Sequence, residues 1–366
     1  MKKYRVILLG TGFVGHFALR ALTEQPQFEL AGVWVNNPEK VGKDAGELAG
    51  TGAKTGILAT NDMDALVARD ADCICSAVGG SRREDWVTDV HCRFLEAGRN
   101  VVSSSVVGMT FPRAYQRQDL VKRIENASLK GKASFLTTGM DPGYSSDLAL
   151  FLSQLSHSWR QIRVQEIYDY STYTPTEAEM ILGVAIGFGR PMGYPAPIFQ
   201  PGMLTAVWGG PTVTLIADAL GLKLNEIREV YWRHPADRTF EVPRLGVIEK
   251  GTQEAYRFEV QGIVNGHVAI VAEHITRLRK DSAPQWPMGE AGEGYYVHID
   301  GDPLIKGHIS LTGPNGDHQY GAILGTAMKL VNSIPAVCEA RPGVLTAPVD
   351  LPPVIGRGLY RPAVSA

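Results

Sequence analysis

The feature that most constrains the fold of this chain is a glycine-rich turn between a predicted strand and a predicted helix. The turn reads Gly10-Thr-Gly-Phe-Val-Gly15, and it connects the apolar run Arg5–Leu9 to the amphipathic run Val14–Glu24. Glycines at this spacing allow a tight turn, close approach of a ligand to the backbone and close packing of the helix on the strand. The turn therefore predicts the start of a doubly wound α/β domain.

The same alternation of short β-branched runs and longer amphipathic runs continues to about residue 140, which is typical of parallel strands joined by helices. The predicted strands are Arg5–Leu9, Glu29–Val35, Asp72–Ala77, Asn100–Ser103 and Ser134–Thr137. The predicted helices are Val14–Glu24, Met63–Ala68, Arg83–Ala97 and Arg113–Lys130. Gly98 and Gly131 follow two of these helices and are predicted to terminate them, because glycine adopts the left-handed conformation without strain.

Beyond residue 142 the pattern changes to long strand-like segments with hairpin signals such as Asn265-Gly266. The predicted strands are Ile162–Tyr170, Ile227–His234, Ala255–Val264, His267–Leu278, Gly294–Ile299 and Leu304–Leu311. Helices are predicted at Leu148–Leu155, Pro211–Leu220 and Tyr320–Ser333, the last ending before Pro335. We therefore expect a Rossmann-type doubly wound parallel sheet over residues 1–142, completed by a C-terminal helix at about 318–345, and an α+β domain of mainly antiparallel sheet over residues 143–317.

The composition favours a soluble protein that acts on a small molecule. The 366 residues include 36 basic and 38 acidic side chains, for a net charge of -2, so neither nucleic acid nor a membrane is an expected partner. The uncharged stretch 191–217 is interrupted by proline and glycine, which excludes a continuous spanning helix. Four scattered cysteines predict neither a disulfide framework nor a metal site, and they favour a cytoplasmic protein.

The glycine-rich turn also predicts a dinucleotide cofactor, because the N–H groups and dipole at a helix N-terminus bind a diphosphate. The predicted cofactor contacts are Gly10, Thr11, Gly12, Phe13, Val14, Gly15, Asn36, Lys40, Ala77, Val78, Gly79 and Asp141. NAD-binding sites usually place an acid where this chain has Asn36. A neutral residue there, with Lys40 nearby, favours NADP over NAD; a ribose contact from Glu39 is the alternative.

Residues with catalytic chemistry lie early in the second half, in the segment Gln165–Tyr173. Strand alternation places Glu166 on the same face as Tyr168 and Asp169 on the opposite face. The candidate proton donors and acceptors are Glu166, Tyr168 and Tyr173, although sheet packing alone also explains the tyrosines. The candidate substrate-binding residues are Tyr144, Tyr194, Phe199, Met203 and Trp208, which predict a largely apolar substrate. Histidines 91, 157, 267, 274, 298 and 308 lie in predicted helices or strands without a paired acid, and none is predicted to be catalytic.

Four segments together resemble one enzyme family. Besides the turn Gly10–Gly15, these are Glu39–Leu48, Gly139–Tyr144 and Val331–Ala336. The chain resembles the dihydrodipicolinate reductase-like oxidoreductases, a group that includes 2,4-diaminopentanoate dehydrogenase and the native amine dehydrogenases. The resemblance implies a nicotinamide cofactor, a second domain that binds substrate and forms a homodimer, and hydride transfer to or from an imine or carbonyl carbon.

The sequence departs from this family pattern in two places. It lacks the His-His and Lys motif, with its Pro-Ser-Gly-Thr segment, of the dihydrodipicolinate reductases themselves. It also has no acid in the run Ser103–Pro112, where the resemblance implies the catalytic glutamate of the amine dehydrogenases. Three functions stay open: an imine or carbonyl reductase, an amine dehydrogenase whose acid has moved to Glu166 or Asp169, and a non-catalytic NADP-binding sensor.

Overall fold

The computed structural model describes residues 2–80, 83–173, 179–243 and 245–360. The chain forms two compact units. The first comprises Met1–Pro112, Arg117–Gly139 and Ile323–Ala366, and the second comprises Arg113–Gln116 and Met140–Ala322. The chain passes from the first unit to the second between Gly139 and Met140, and it returns within its last helix.

The strands and helices are numbered in chain order. The strands are β1 (Tyr4–Leu9), β2 (Phe28–Trp34), β3 (Cys73–Ser76), β4 (Asn100–Ser103), β5 (Ser134–Thr137), β6 (Ser158–Asp169), β7 (Glu226–Pro235), β8 (Phe240–Val242), β9 (Gly246–Ile248), β10 (Gln253–Val264), β11 (His267–Arg277), β12 (Gly294–Asp302), β13 (Ile305–Ile309) and β14 (Gly343–Leu345). The helices are α1 (Phe13–Glu24), α2 (Ala45–Leu48), α3 (Met63–Val67), α4 (Glu84–Glu96), α5 (Gln118–Gly131), α6 (Ser145–Ser153), α7 (Gly210–Ala219) and α8 (His318–Glu339).

The first unit contains a six-stranded parallel sheet in the order β14-β5-β4-β3-β1-β2. All residues of β3 and β5 are buried, as expected for strands covered by helices on both faces. This sheet confirms the predicted Rossmann-type architecture. The edge strand β14 was not predicted, because three residues are too few for the alternation to be visible.

The end of α5 differs from the prediction. Gly131 is the last residue of the helix, and Lys132 takes the left-handed conformation with a φ of 54°. A Cβ at Gly131 would lie 1.8 Å from the carbonyl oxygen of Leu95, so glycine is needed here for close packing against α4. The other predicted terminator, Gly98, does have a left-handed φ of 78°.

We expect Gly131→Ala to lower the free energy of unfolding by about 3 kcal/mol, because the helices must move apart. Gly98→Ala should cost about 1 kcal/mol, because it strains only the backbone. Urea unfolding of both variants measures the difference. An equal cost at the two positions would contradict the close-packing argument.

Helix α8 is longer than predicted, because it continues through Pro335 to Glu339. A proline inside a helix removes one backbone hydrogen bond. Burial of Ile334 and Val337, both 0% exposed, stabilises the turns on either side and outweighs that loss. Among the described helices, α8 alone is long and apolar enough to cross a membrane, a test that buried core helices also pass.

The second unit contains a six-stranded mixed sheet in the order β13-β12-β6-β11-β10-β7. Only the central pair β6 and β11 is parallel, so the prediction of a mainly antiparallel sheet is confirmed. Asn265 and Gly266, both with positive φ, form the predicted two-residue hairpin between β10 and β11. Helices α6 and α7 pack on one face of this sheet and bury its main apolar core.

Candidate active site

The glycine-rich turn of the first unit has the geometry that its sequence predicts. Gly10 has a φ of 89°, and a Cβ at Gly15 would lie 2.1 Å from the carbonyl oxygen of Gly10. A Cβ at Gly12, by contrast, would meet no atom within 4 Å. Gly10 and Gly15 are therefore required by the fold, whereas Gly12 borders open space.

The N-terminus of α1 fits the diphosphate of a dinucleotide. The helix has no acidic residue in its first turn and no side-chain cap, so its first N–H groups remain available to bind a diphosphate. The exposed ring of Phe13 and the half-buried Val14 belong to the same first turn. This arrangement suits a nicotinamide dinucleotide.

Predicted cofactor contacts from two other segments reach the turn. Lys40 donates from Nζ to the carbonyl oxygen of Thr11 at 2.9 Å and to its hydroxyl at 3.2 Å. A Cβ at Gly10 would lie 3.0 Å from the carbonyl oxygen of Ala77 and 3.2 Å from Val78. The segments that follow β2 and β3 therefore meet the turn. Gly79 continues the chain after Val78, and Asn36 is exposed beyond the end of β2.

The acid-free run Ser103–Pro112 is packed into the first unit and contains a strained residue. The hydroxyl of Ser105 donates to the carbonyl oxygen of Val78, which ties the run to the segment after β3. Val106 is 3% exposed and has a φ of 52°, a conformation that β-branched residues rarely adopt. A Cβ at Gly80 would lie 2.8 Å from the nitrogen of Val106, so the two backbones are in close contact.

A cluster of three ionisable side chains is buried in the second unit. It consists of Asp141, Glu166 and His274, whose carboxylate oxygens and ring nitrogens lie within 4.8 Å of one another. Nε2 of His274 is hydrogen-bonded to Asp141, and Nδ1 lies 3.5 Å from Oε1 of Glu166. His274 is 2% exposed and Glu166 is 8% exposed. The imidazole therefore lies between two carboxylates away from bulk water.

The parallel pairing of β6 with β11 brings this cluster together. Glu166 and His274 are directly opposite each other in the register of the two strands. Asp141 comes from the irregular segment Met140–Tyr144 that precedes α6, where it accepts a hydrogen bond from the hydroxyl of Ser145. Residues far apart in sequence therefore converge at the centre of the sheet.

The charges in this cluster depend on one another. Burial alone would lower the pKa of His274, but the carboxylates of Glu166 and Asp141 outweigh it and raise that pKa above its ordinary value. Burial raises the pKa of Glu166, Asp141 adds to this effect, and His274 opposes it. The cluster consequently holds a carboxyl group whose pKa is closer to neutrality than that of a solvated glutamate.

Aromatic rings surround the cluster. The ring of Phe258 stacks on His274 at 4.7 Å, and the ring of Trp208 lies 5.1 Å from it. The hydroxyl of Tyr170 donates to Glu166 at 3.1 Å, and the hydroxyl of Tyr295 lies close enough to lower the pKa of this carboxyl group. These rings restrict the imidazole and leave a largely apolar environment around the three ionisable groups.

The predicted tyrosines lie beside this cluster, and Asp169, the alternative acid, lies outside it. Tyr168 packs against Tyr295 at 5.4 Å, and burial raises its pKa above the ordinary value, which disfavours a tyrosinate. Tyr173 stacks on Tyr170 at 5.1 Å. Asp169 lies at the end of β6, where its carboxylate accepts from the backbone nitrogen of Ser171. Of the two predicted acids, Glu166 is therefore the one that lies in the cluster with Asp141 and His274.

The five predicted substrate-binding residues occupy different environments. Trp208 contacts His274, and Tyr144 packs beside the cluster of Met140, Tyr168 and Tyr295. Phe199 is buried between Tyr231 and Tyr256. Tyr194 donates to the carbonyl oxygen of Val184, and Met203 is exposed in a turn.

His274 is the residue that sequence reasoning missed. The prediction that the histidines lack paired acids is wrong for His274, because strand pairing places it opposite Glu166. The signal available in the sequence was the adjacent pair Glu273-His274, which directly follows the apolar run Val268–Ala272 in β11. His91, by comparison, is buried with Nε2 2.9 Å from the hydroxyl of Ser76, and burial lowers its pKa to about 3.

Both units of the chain match known protein families. Residues 4–77 match the family described as dihydrodipicolinate reductase, N-terminus, and residues 146–358 match the 2,4-diaminopentanoate dehydrogenase C-terminal domain. The chain belongs to the dihydrodipicolinate reductase-like oxidoreductases. As a member of this family it is an NAD(P)-dependent enzyme with a nicotinamide cofactor.

Two curated relatives in the dihydrodipicolinate reductase-like family span nearly the whole chain. An amine dehydrogenase of Streptomyces virginiae is 38% identical over 357 residues, covering 96% of this chain and 97% of the relative. A 2,4-diaminopentanoate dehydrogenase of Acetoanaerobium sticklandii is 25% identical over 364 residues, covering 96% and 94%. Both relatives are dehydrogenases.

Solved structures support the fold of this family member. The amine dehydrogenase of Mycobacterium smegmatis superposes with a TM-score of 0.76 at 19% identity, covering 97% of each chain. The scyllo-inositol dehydrogenase of Lactobacillus casei superposes with a TM-score of 0.54 at 14% identity, covering 94% of this chain and 91% of the other. At these identities the similarity establishes the architecture alone.

We expect Gly12→Asp to abolish NADPH and NADH binding without unfolding the protein. The new side chain enters open space, where its charge repels a diphosphate. Calorimetry on cofactor-stripped protein measures the affinity, and circular dichroism checks the fold. Retained micromolar binding by the variant would contradict this assignment of the cofactor site.

Proposed function

We propose that this chain is an amine dehydrogenase that interconverts a small, largely apolar ketone plus ammonia with the corresponding primary amine. The observation that carries the proposal is the buried carboxyl group of Glu166, which contacts His274 and Tyr170 within an aromatic environment. The amine dehydrogenase that is 38% identical to this chain supports the same reaction class. Glu166 would thus supply the acidic side chain that the run Ser103–Pro112 lacks.

The chemistry requires one group that both accepts and donates protons. Ammonia adds to the ketone to give a carbinolamine, which loses water only after its hydroxyl is protonated. A carboxyl group with a raised pKa performs both tasks, because it accepts a proton from the adding nitrogen and returns one to the departing oxygen. The bound nicotinamide supplies the hydride that reduces the iminium carbon.

We expect Glu166→Gln to reduce amine oxidation and reductive amination at least about 100-fold, because glutamine occupies similar space but transfers no proton. The matched control is Asp169→Asn, which keeps the oxygen that accepts from Ser171 and should leave turnover within about twofold of the unchanged protein. Steady-state assays following NADPH absorbance measure both variants. Full activity in Glu166→Gln would refute the assignment.

The preference for an apolar substrate follows from the groups around the acid. Trp208, Phe258 and Tyr144 are in or beside this cluster, and such rings favour hydrocarbon groups over charged ones. We therefore propose aliphatic or aryl-alkyl ketones as substrates. A carboxylate-bearing oxo acid should be a poor substrate, since it would add a negative charge beside Glu166 and Asp141.

We further propose that the enzyme prefers NADP. Lys40 is hydrogen-bonded to Thr11 of the glycine-rich turn, and Asn36 adds no negative charge at the end of β2. A cation at this place is suited to a 2'-phosphate.

Lys40→Met should therefore weaken NADPH binding about tenfold or more and change NADH binding little, because one charged contact to the phosphate is lost. The control is Lys43→Met, since Lys43 already pairs with Glu47 at 3.1 Å on the surface. Calorimetric titration with each cofactor measures the effect. Equal weakening of NADPH and NADH by Lys40→Met would argue against a role in selecting the phosphate.

Two alternatives give different results in the same assays. An imine or carbonyl reductase would oxidise NADPH with a ketone or preformed imine when ammonia is absent. A cofactor-binding sensor would bind NADPH and show no turnover with any carbonyl, imine or amine. Ammonia-dependent turnover that requires Glu166 supports the amine dehydrogenase.

We also propose that the enzyme is a cytoplasmic homodimer. All four cysteines are unpaired, which suits a reducing compartment. The face of the second sheet opposite α6 and α7 carries Trp232, 39% exposed, above Arg257 at 4.7 Å, together with the exposed Met288. Tryptophan, arginine and methionine are enriched at protein interfaces.

Light scattering of the purified protein should give twice the mass of one chain, and Trp232→Glu should shift it toward the monomer. Substitution of the exposed Leu58, which lies in the first unit, should leave the mass unchanged. A monomeric unchanged protein at micromolar concentration would refute the dimer.

A further inference from the structure

We propose that His274, held by Asp141, is a positioning residue that orients Glu166 and returns its proton during turnover. This inference rests on the proposed function, since it gives Glu166 a partner in the same reaction.

The imidazole of His274 is held by a hydrogen bond at Nε2, by an ion-pair contact at Nδ1 and by an aromatic ring stacked on its face. Nε2 is bonded to Asp141, Nδ1 faces Glu166 at 3.5 Å, and the ring of Phe258 stacks on it with an interplanar angle of 17°. Asp141 is itself fixed by the hydroxyl of Ser145. Rotation of the ring would break the contact with Asp141, so Nδ1 stays directed at Glu166.

The contacts of Glu166 show how the carboxyl group is oriented. Nδ1 of His274 and the hydroxyl of Tyr170 both approach the same oxygen, Oε1, at 3.5 and 3.1 Å. Two groups at one oxygen fix the plane of the carboxyl group more firmly than either does alone. A general acid and base requires this restriction, because proton transfer depends on distance and angle.

The charge of Glu166 is set by the groups that face it. The groups that face Glu166 are Asp141, His274, Tyr168, Tyr170, Tyr256 and Tyr295. His274 faces Glu166 and Asp141, and Glu273 lies next to it in β11. Protonated His274 is thus the only cation among these facing groups, and the ionised state of Glu166 depends on it.

The proton steps balance without a further reactant. Glu166, as a carboxylate, first carries a proton from the adding nitrogen to the oxygen of the carbinolamine. The proton on Nδ1 of His274 then passes through Glu166 to the same hydroxyl, which leaves as water, and the neutral imidazole still donates from Nε2 to Asp141. Solvent returns one proton to His274, which restores the Glu166 carboxylate and the imidazolium for the next cycle.

The direction of the pH effect follows from this arrangement. Removing the charge of Asp141 lowers the pKa of His274, because an opposite charge beside the imidazole is lost. A neutral His274 no longer stabilises the Glu166 carboxylate, which raises the pKa of Glu166. Loss of the Asp141 charge acts directly on Glu166 in the opposite direction, but this effect is the smaller of the two, so the net change is a rise. Amine oxidation needs ionised Glu166, and its rising limb therefore moves to higher pH in Asp141→Asn.

The first experiment measures pH profiles of kcat and kcat/KM for amine oxidation in Asp141→Asn, with Asp169→Asn as the control. We expect the limb of Asp141→Asn to move up by about one pH unit, with an approximately tenfold loss near neutral pH that higher pH restores. The control should keep the original profile. A uniform loss with an unmoved limb would mean a merely structural role and would overturn the proposal.

The second experiment does not require turnover. Nitrogen NMR of labelled protein follows the protonation of His274, and in the unchanged protein the midpoint should lie above the ordinary value for histidine. Glu166→Gln should lower that midpoint. A midpoint at or below the ordinary value in the unchanged protein would overturn the inference. A raised midpoint that depends on Glu166, in a protein without amine turnover, would instead refute the proposed function alone.

Discussion

The pairing of β6 with β11 is the constraint on which the second unit depends. These two central strands are the only parallel neighbours in their sheet, and their register sets Glu166 beside His274. Burying a carboxylate in an apolar core is strongly unfavourable unless an opposite charge and hydrogen bonds accompany it. A register shift of one residue would move Glu166 to the other face and leave His274 without it. The fold of the second unit and the proposed catalysis therefore both require this register of β6 and β11.

Local sequence predicted the first unit well because its structure follows short-range rules. Glycine spacing, strand alternation and helix length are visible within about 20 residues. The errors arose where distant atoms decide the outcome. Gly131 is required inside α5 because the backbone of Leu95 packs directly against it. Helix α8 continues through Pro335 because the buried side chains of Ile334 and Val337 stabilise the helical turns on either side.

The candidate site was predicted only in part for the same reason. Strand alternation placed Glu166, Tyr168 and Tyr170 on one face, which the structure confirms through the bond between Tyr170 and Glu166. No local pattern indicates which strand lies next to β6. His274 is 108 positions away from Glu166 in the chain, and its ionic partners emerge only when the sheet is formed. Asp141 was predicted only as a cofactor contact, and its hydrogen bond to His274 likewise depends on how the chain folds.

The left-handed backbone of Val106 has a consequence for redesign. A β-branched residue in this conformation costs on the order of 1–3 kcal/mol, which the packed surroundings of the run must offset. Such a segment has little freedom to change direction, so a side chain grafted onto Ser104 or Ser105 would leave the backbone along a fixed vector. The backbone of the acid-free run Ser103–Pro112 is therefore rigid near Val106. The direction of a carboxylate introduced at Ser104 or Ser105 would be set by the fold and not by movement of the loop.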